Sequence, residues 1–228
     1  MSKIEWCDTT INPVKGLCPV GCSYCYARAF YNRNLNSTFK DKSIRYDKSV
    51  WGRDFKDNEK VFVGSTIDLC HEKTIKYIDV IMNECEQYPK TNFIFLTKCS
   101  HNIQNIEFPD NCWIGVSTIG FDSRSGLEDI FANVRAKTKF VSIEPLLDYT
   151  PMDFRWVDWI IVGQQTPIRL KTKPREWWIR DICERATKEH KPVFLKDNLL
   201  DLVFEFSGQS RWAYPNGFYR QQFPKDIK

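Results

Sequence analysis

"VFVGSTIDLCHEKTIKYIDVIMNECEQYPKTNFIFLTK" (61–98) holds two short apolar runs with an amphipathic stretch between them. "VFVGST" (61–66) and "NFIFLTK" (92–98) are rich in β-branched and aromatic residues, and neither alternates apolar with polar. Strands buried on both faces read this way. "TIKYIDVIMNECEQY" (74–88) puts Ile75, Ile78, Met82 and Cys85 on one helical face. Strand, helix and strand in that order predict parallel pairing through a right-handed crossover.

The unit recurs. Strands are predicted at "CWIGVST" (112–118), "KFVSIEPL" (139–146), "DWIIVGQ" (158–164) and "PVFLKDN" (192–198). Helices are predicted over 127–134, with Leu127, Ile130, Phe131 and Val134 inward, and over 175–189, where Trp178, Ile182 and Ala186 form the core face. With a strand around Ile4–Thr10 the total is about seven. The expected fold is α/β, a partial (β/α) TIM-type barrel of six or seven parallel strands; a flat doubly wound sheet satisfies the same periodicity. One domain is expected over 1–228, with the barrel in 1–198 and a C-terminal extension, 199–228, as a cap. The charged, aromatic-studded residues 36–60 read as the longest connection.

Both architectures place their sites where strands end. Here those ends are polar: Ser65, Thr66, Asp68 and Cys70, then Thr97, Lys98 and Cys99, then Ser117, Glu144, Gln164 and Lys196. A purely structural barrel has no need of such groups, so an enzyme is the expectation.

The net charge of +4 in 228 residues decides little about partners. No apolar run approaches membrane-spanning length, and the N-terminal "MSKIEWCDTT" lacks a signal-peptide layout, so the expectation is a cytoplasmic protein without a membrane. Nine cysteines, an odd number, read as reduced thiols. Three cluster in "GLCPVGCSYCYARAF" (16–30): Cys18, Cys22 and Cys25. A zinc site needs four ligands, with Cys7 the candidate fourth. A four-iron cluster on three thiolates keeps one iron open. Both readings stand on the spacing alone.

C-x3-C-x-aromatic-C, here "CPVGCSYC", resembles the signature of the radical S-adenosylmethionine (SAM) superfamily. "IEWCDTTINPV", "VFVGSTIDLCHE", "FIFLTK", "WIGVS", "FVSIEPLL", "VDWIIVG" and "PVFLKDN" extend the likeness over most of 3–198. They resemble a phage- and prophage-associated group within it, and the same skeleton is similar to the spore photoproduct lyase branch. That resemblance implies a [4Fe-4S] cluster on Cys18, Cys22 and Cys25, and S-adenosyl-L-methionine on its open iron. It implies Tyr24 against the adenine, Ser65, Thr66 and Asp68 beside the cofactor, Lys98 on its carboxylate, and Ser117 as a further contact. Asp68 is the acceptor expected for the ammonium.

Cys70 and Cys99 are candidates to return a hydrogen atom to a product radical; the plain alternative is that each is a small buried hydrophobe. Glu144 is a candidate for the cofactor ribose or the substrate, or a structural loop contact. The phage-associated group commonly has other residues at Cys70, Cys99 and "GQQT" (163–166), which marks these as positions lining the substrate. Expected partners are SAM, an electron donor such as flavodoxin or ferredoxin, and DNA, RNA or a nucleotide as substrate. The alternatives are a small molecule or peptide substrate, and a zinc-binding module without catalysis.

Overall fold

The structure is a computed structural model that describes residues 4–25, 27, 28, 31, 41–120, 126–207, 211–214 and 219–224. The 36–40 part of the long connection and residues 208–210, 215–218 and 225–228 of the C-terminal extension lie outside these. In chain order the elements are β1 (Thr9–Ile11), β2 (Val14–Lys15), β3 (Arg45–Tyr46), β4 (Lys60–Val63), α1 (Ile78–Glu86), β5 (Asn92–Thr97) and β6 (Cys112–Thr118). They continue with α2 (Leu127–Asn133), β7 (Thr138–Ile143), β8 (Trp159–Val162), α3 (Glu176–Lys188), β9 (Val193–Leu195) and α4 (Leu200–Ser207). The seven long-range strands are hydrogen-bonded in the order β1-β4-β5-β6-β7-β8-β9.

Two compact units share these elements: Met1–Val116 with Asn133–Thr138, and Ser117–Ala132 with Lys139–Lys228. In the first, β1, β4, β5 and β6 are parallel neighbours, with Thr9 opposite Val61, Val61 opposite Phe93, and Phe93 opposite Cys112. Val61, Phe93, Ile94 and Ile114 are fully buried, as continuously apolar strands demand. In the second, β7, β8 and β9 are parallel, with Phe140 opposite Trp159 and Ile160 opposite Val193. Every residue of β8 and β9 is buried.

Three expectations shift. The first strand begins at Thr9, because Asp8 is already bonded to Lys60 through both its peptide N–H and its carboxylate, and that contact sets where pairing starts. In α1 the buried face is Ile78, Ile81 and Cys85, with Met82 only half-buried. Residues Ile75–Tyr77 form a 3-10 turn, which winds faster than an α-helix and resets the phase before Ile78. In α3 the buried residues are Ile179, Ile182, Cys183 and Ala186, and Trp178 lies at the margin of that face.

The described end of the C-terminal extension lies along β9. Leu195 donates to the Arg220 carbonyl (2.8 Å) and Gln222 to that of Val193 (2.9 Å), an antiparallel match. The Trp159 indole donates to the Gln222 carbonyl (2.8 Å), and Phe223 packs on Trp159 and Phe194. This caps the outer edge of β9 and satisfies backbone groups that would otherwise invite pairing with another chain. Among the described residues no helix is long and apolar enough to cross a membrane.

Candidate functional site

In the first unit the cysteine loop leaves β2 through Gly16, which has φ +117°. A Cβ there would lie 2.4 Å from the Ser43 carbonyl oxygen, so only glycine lets the loop run this close to the segment leading into β3. Tyr31 donates to the Gly16 carbonyl, Leu17 to that of Lys42 (3.1 Å) and Arg28 to that of Cys18 (3.2 Å). The loop is therefore held at both ends.

Asp68, in the loop after β4, joins this motif to the next strand end. Its carboxylate accepts from the Thr97 hydroxyl (2.7 Å), the Lys98 peptide N–H (2.7 Å) and the Cys70 peptide N–H (3.0 Å). Its own N–H donates to the Cys18 sulfur at 3.5 Å, across 50 residues of chain. The Lys98 ammonium stands 5.4 Å from the centre of the Tyr24 ring. A carboxylate offers about four acceptor positions, so Asp68 has three in use and one left. Its first role is to clamp the strand ends, an addition to the ammonium contact expected of it.

Ser65 and Thr66 turn to Asn12. Both hydroxyls donate to the Asn12 carboxamide oxygen (3.2 and 3.1 Å), and the Thr66 N–H does so as well (3.1 Å). Sequence reasoning passed over Asn12. The signal was present: a polar residue directly after β1 and before Pro13, at the edge where the other strands place their functional groups.

The thiols differ in character. Burial pushes Cys18 up, against the lowering pull of the Asp68 and Val20 peptide groups. Burial also pushes up the Tyr24 phenol, with Cys22 and Cys25 adding to it. Cys70 is raised by burial and then by Asp68, and Cys99, by the same two causes, is pushed up to about 12. Both carry their proton at neutral pH. Cys70 is fully buried, while Cys99 is half-exposed.

Among the described residues no group of three or more His, Cys, Asp or Glu side chains is gathered as around a metal ion. The donor set nonetheless fits an iron–sulfur group in its chemistry. Cys18, Cys22 and Cys25 are free and half-exposed, and peptide N–H groups are directed at the Cys18 sulfur. Hydrogen bonds to sulfur are among the levers that set the potential of such clusters.

In the second unit the ends of β7, β8 and β9 carry their own polar group. The Lys196 ammonium lies 2.5 Å from a Glu144 carboxylate oxygen, and both side chains are half-buried. Gly163 lies beneath the pair: a Cβ there would meet Lys196 Cδ at 2.8 Å and Glu144 Cδ at 3.1 Å. The Ser117 hydroxyl donates to the Glu144 carbonyl (3.4 Å). Gln164 and Asn198 exchange amide hydrogen bonds alongside. Asp197 serves the chain end, accepting from Gln221 (2.7 Å).

Residues 1–198 match the family described as "Protein of unknown function (DUF5131)". The chain belongs to that family. No curated protein matches its sequence. A solved structure of spore photoproduct lyase, in a cysteine-to-serine mutant, resembles this DUF5131 chain with a TM-score of 0.50 at 10% sequence identity. The likeness covers 95% of this chain, which spans 64% of the lyase chain. It shows the fold: α/β, a partial (β/α) barrel of the TIM type, and not a flat doubly wound sheet.

Eight of the predicted site residues of this DUF5131 member share the first unit's strand-end cluster: Cys18, Cys22, Tyr24, Cys25, Asp68, Cys70, Lys98 and Cys99. Ser65 and Thr66 are held by Asn12, and Ser117 and Glu144 belong to the second unit.

Proposed function

We propose that this chain is a radical SAM enzyme that acts on a nucleic-acid base or nucleotide. The observation that carries the reading is the bond from the Asp68 N–H to Cys18, made by the carboxylate residue that also clamps Thr97 and Lys98. It joins the cysteine motif to the residues that the resemblance assigns to the cofactor. The likeness to spore photoproduct lyase, a radical SAM enzyme, supports the same reading.

Cys18, Cys22 and Cys25 would hold the [4Fe-4S] cluster. When bound, and reduced by a donor of the flavodoxin or ferredoxin kind, it supplies the electron that cleaves SAM to methionine and a 5′-deoxyadenosyl radical, which takes a hydrogen atom from the substrate. Lys98 supplies a cation for the SAM carboxylate, and the Tyr24 ring next to it offers a flat face for adenine. The remaining acceptor position on Asp68 suits the ammonium. Ser65 and Thr66, held by Asn12, present the turn that follows β4. Ser117 keeps its cofactor role on the resemblance alone. Cys99, half-exposed and protonated, is the better-placed hydrogen-atom donor of the two thiols, and Glu144 is the candidate substrate contact.

The test is anaerobic reconstitution with iron and sulfide, then addition of dithionite and SAM. The expected result is a brown protein that makes 5′-deoxyadenosine and stops doing so as Cys18→Ala, Cys22→Ala or Cys25→Ala. Stoichiometric zinc with no cleavage of SAM would overturn the proposal.

A further inference from the structure

One surface stretch accounts for the whole net charge of the protein. "TPIRLKTKPREWWIR" (166–180) carries Arg169, Lys171, Lys173, Arg175 and Arg180 against a single carboxylate, Glu176. That is a net +4, and the chain as a whole is +4, so the remaining residues balance. The stretch follows β8 in the second unit, passes through a 3-10 turn at Leu170–Thr172 and runs into α3. Arg169, Lys171 and Arg175 make no ion pair among the described residues, and Arg180 reaches Glu176 only at 4.0 Å.

Apolar side chains stand between these cations and face water. Leu170 is 91% exposed and Ile168 55%. Leu170 buries almost no surface that would assist folding and Ile168 less than half of its own, while a run of like charges works against the fold. Ring platforms follow in the same stretch. Trp177, 41% exposed, is 5.2 Å from the Tyr149 ring, and the Arg175 guanidinium is 5.6 Å from the Trp178 ring.

Unpaired guanidinium and ammonium groups attract phosphates, and exposed apolar and aromatic groups take the faces of unstacked bases. A membrane-surface segment would instead need a helix with a broad apolar face, and here Leu170 sits in a three-residue turn and Ile168 precedes that turn, outside any helix. We propose that 166–180 is a nucleic-acid-binding surface that takes a single strand by its phosphates and base faces. The proposal deepens the substrate half of the reading above. It needs neither cluster nor SAM, so its failure and the failure of the radical chemistry are separate results.

The experiment is fluorescence anisotropy of the full chain, without iron or SAM, against labelled single-stranded DNA, single-stranded RNA and a DNA duplex. Salt is varied from about 50 to about 200 mM. The expected result is tighter binding to a single strand than to the duplex, with log affinity falling linearly in log salt. The tighter of the two single strands names the sugar. R169Q/K171Q is expected to lower the magnitude of that slope by about 1.4, at roughly 0.7 per phosphate contact. Leu170→Ser is expected to weaken binding severalfold at every salt concentration with the slope unchanged. All three positions are exposed, and circular dichroism will confirm that the variants fold. Binding that R169Q/K171Q leaves unchanged would overturn the proposal. So would no binding at low salt, or capture by phosphatidylserine vesicles with none by the oligonucleotides.

Discussion

At the scale of single residues, Asp68 shows how one side chain can organise a site before any ligand arrives. It satisfies two peptide N–H groups and a hydroxyl of a buried threonine, and its own N–H reaches a motif sulfur. Asp68→Ala leaves the Lys98 and Cys70 N–H groups and the Thr97 hydroxyl without their acceptor in a half-buried place. Each such loss costs about 1–3 kcal/mol, the low end where water reaches part of the place, so a fall of about 2–4 kcal/mol is expected in a denaturant titration. Asp68→Asn keeps the shape but turns an NH2 toward one of the donors, so it falls between wild type and alanine. The reconstituted variants separate this structural part from the chemical one. If Asp68 also meets the SAM ammonium, Asp68→Asn loses more SAM affinity than its modest destabilisation accounts for. A variant whose SAM affinity is unchanged would restrict Asp68 to the clamp.

Among the elements, the ends of β7, β8 and β9 meet at Gly163, where Lys196 and Glu144 close over a residue with no side chain. Gly163→Ala forces the Lys196 stem and the Glu144 carboxyl apart, at an overpacking cost of about 1–3 kcal/mol. Lys196→Met leaves Glu144 half-buried without its cation, and since the pair is partly solvated about 1–2 kcal/mol is expected. Chemical denaturation measures both; a neutral Gly163→Ala would mean the pair is not held where the strands place it. The strands were legible from residue type: Val61, Phe93, Ile94 and Trp159 sit in runs with no polar alternation, and such runs belong to sheets buried on both faces. The cysteine motif and the polar strand ends were legible for the same local reason. Asn12 was not, because its importance lies in three hydrogen bonds to residues more than 50 positions away. The pairing of Lys196 with Glu144 across Gly163 was equally hidden, since strand order, not sequence, makes them neighbours. The phase of α1 was misplaced because nothing in "TIKY" announces a 3-10 turn.

For the whole molecule, nine cysteines set a limit on alkaline stability. Cys70, Cys85 and Cys183 are buried thiols whose ionisation is pushed up chiefly by loss of water, Cys183 to about 12 from an ordinary 9.0. The Arg220 guanidinium opposes that rise at Cys183 and does not cancel it. Between those two values the unfolded chain has released the Cys183 proton and the folded chain retains it. The folded state's advantage is therefore whole below the unfolded value and is lost as pH rises toward the folded one. Each such thiol removes up to about 1.4 kcal/mol of stability per pH unit inside that window. Lysine and tyrosine ionisation will add to the slope, so the informative quantity is a difference. Wild type and Cys183→Ala, both reduced and iron-free, are to be unfolded in urea at several pH values from about 7.5 to about 10.5. Removal of the buried thiol costs a fixed amount for the lost packing, about 1–3 kcal/mol, which does not depend on pH. On top of that offset the two stabilities are expected to converge as pH rises above about 9, by up to roughly 1.4 kcal/mol per unit. Parallel curves would show that Cys183 titrates alike in both states and that the alkaline limit lies elsewhere.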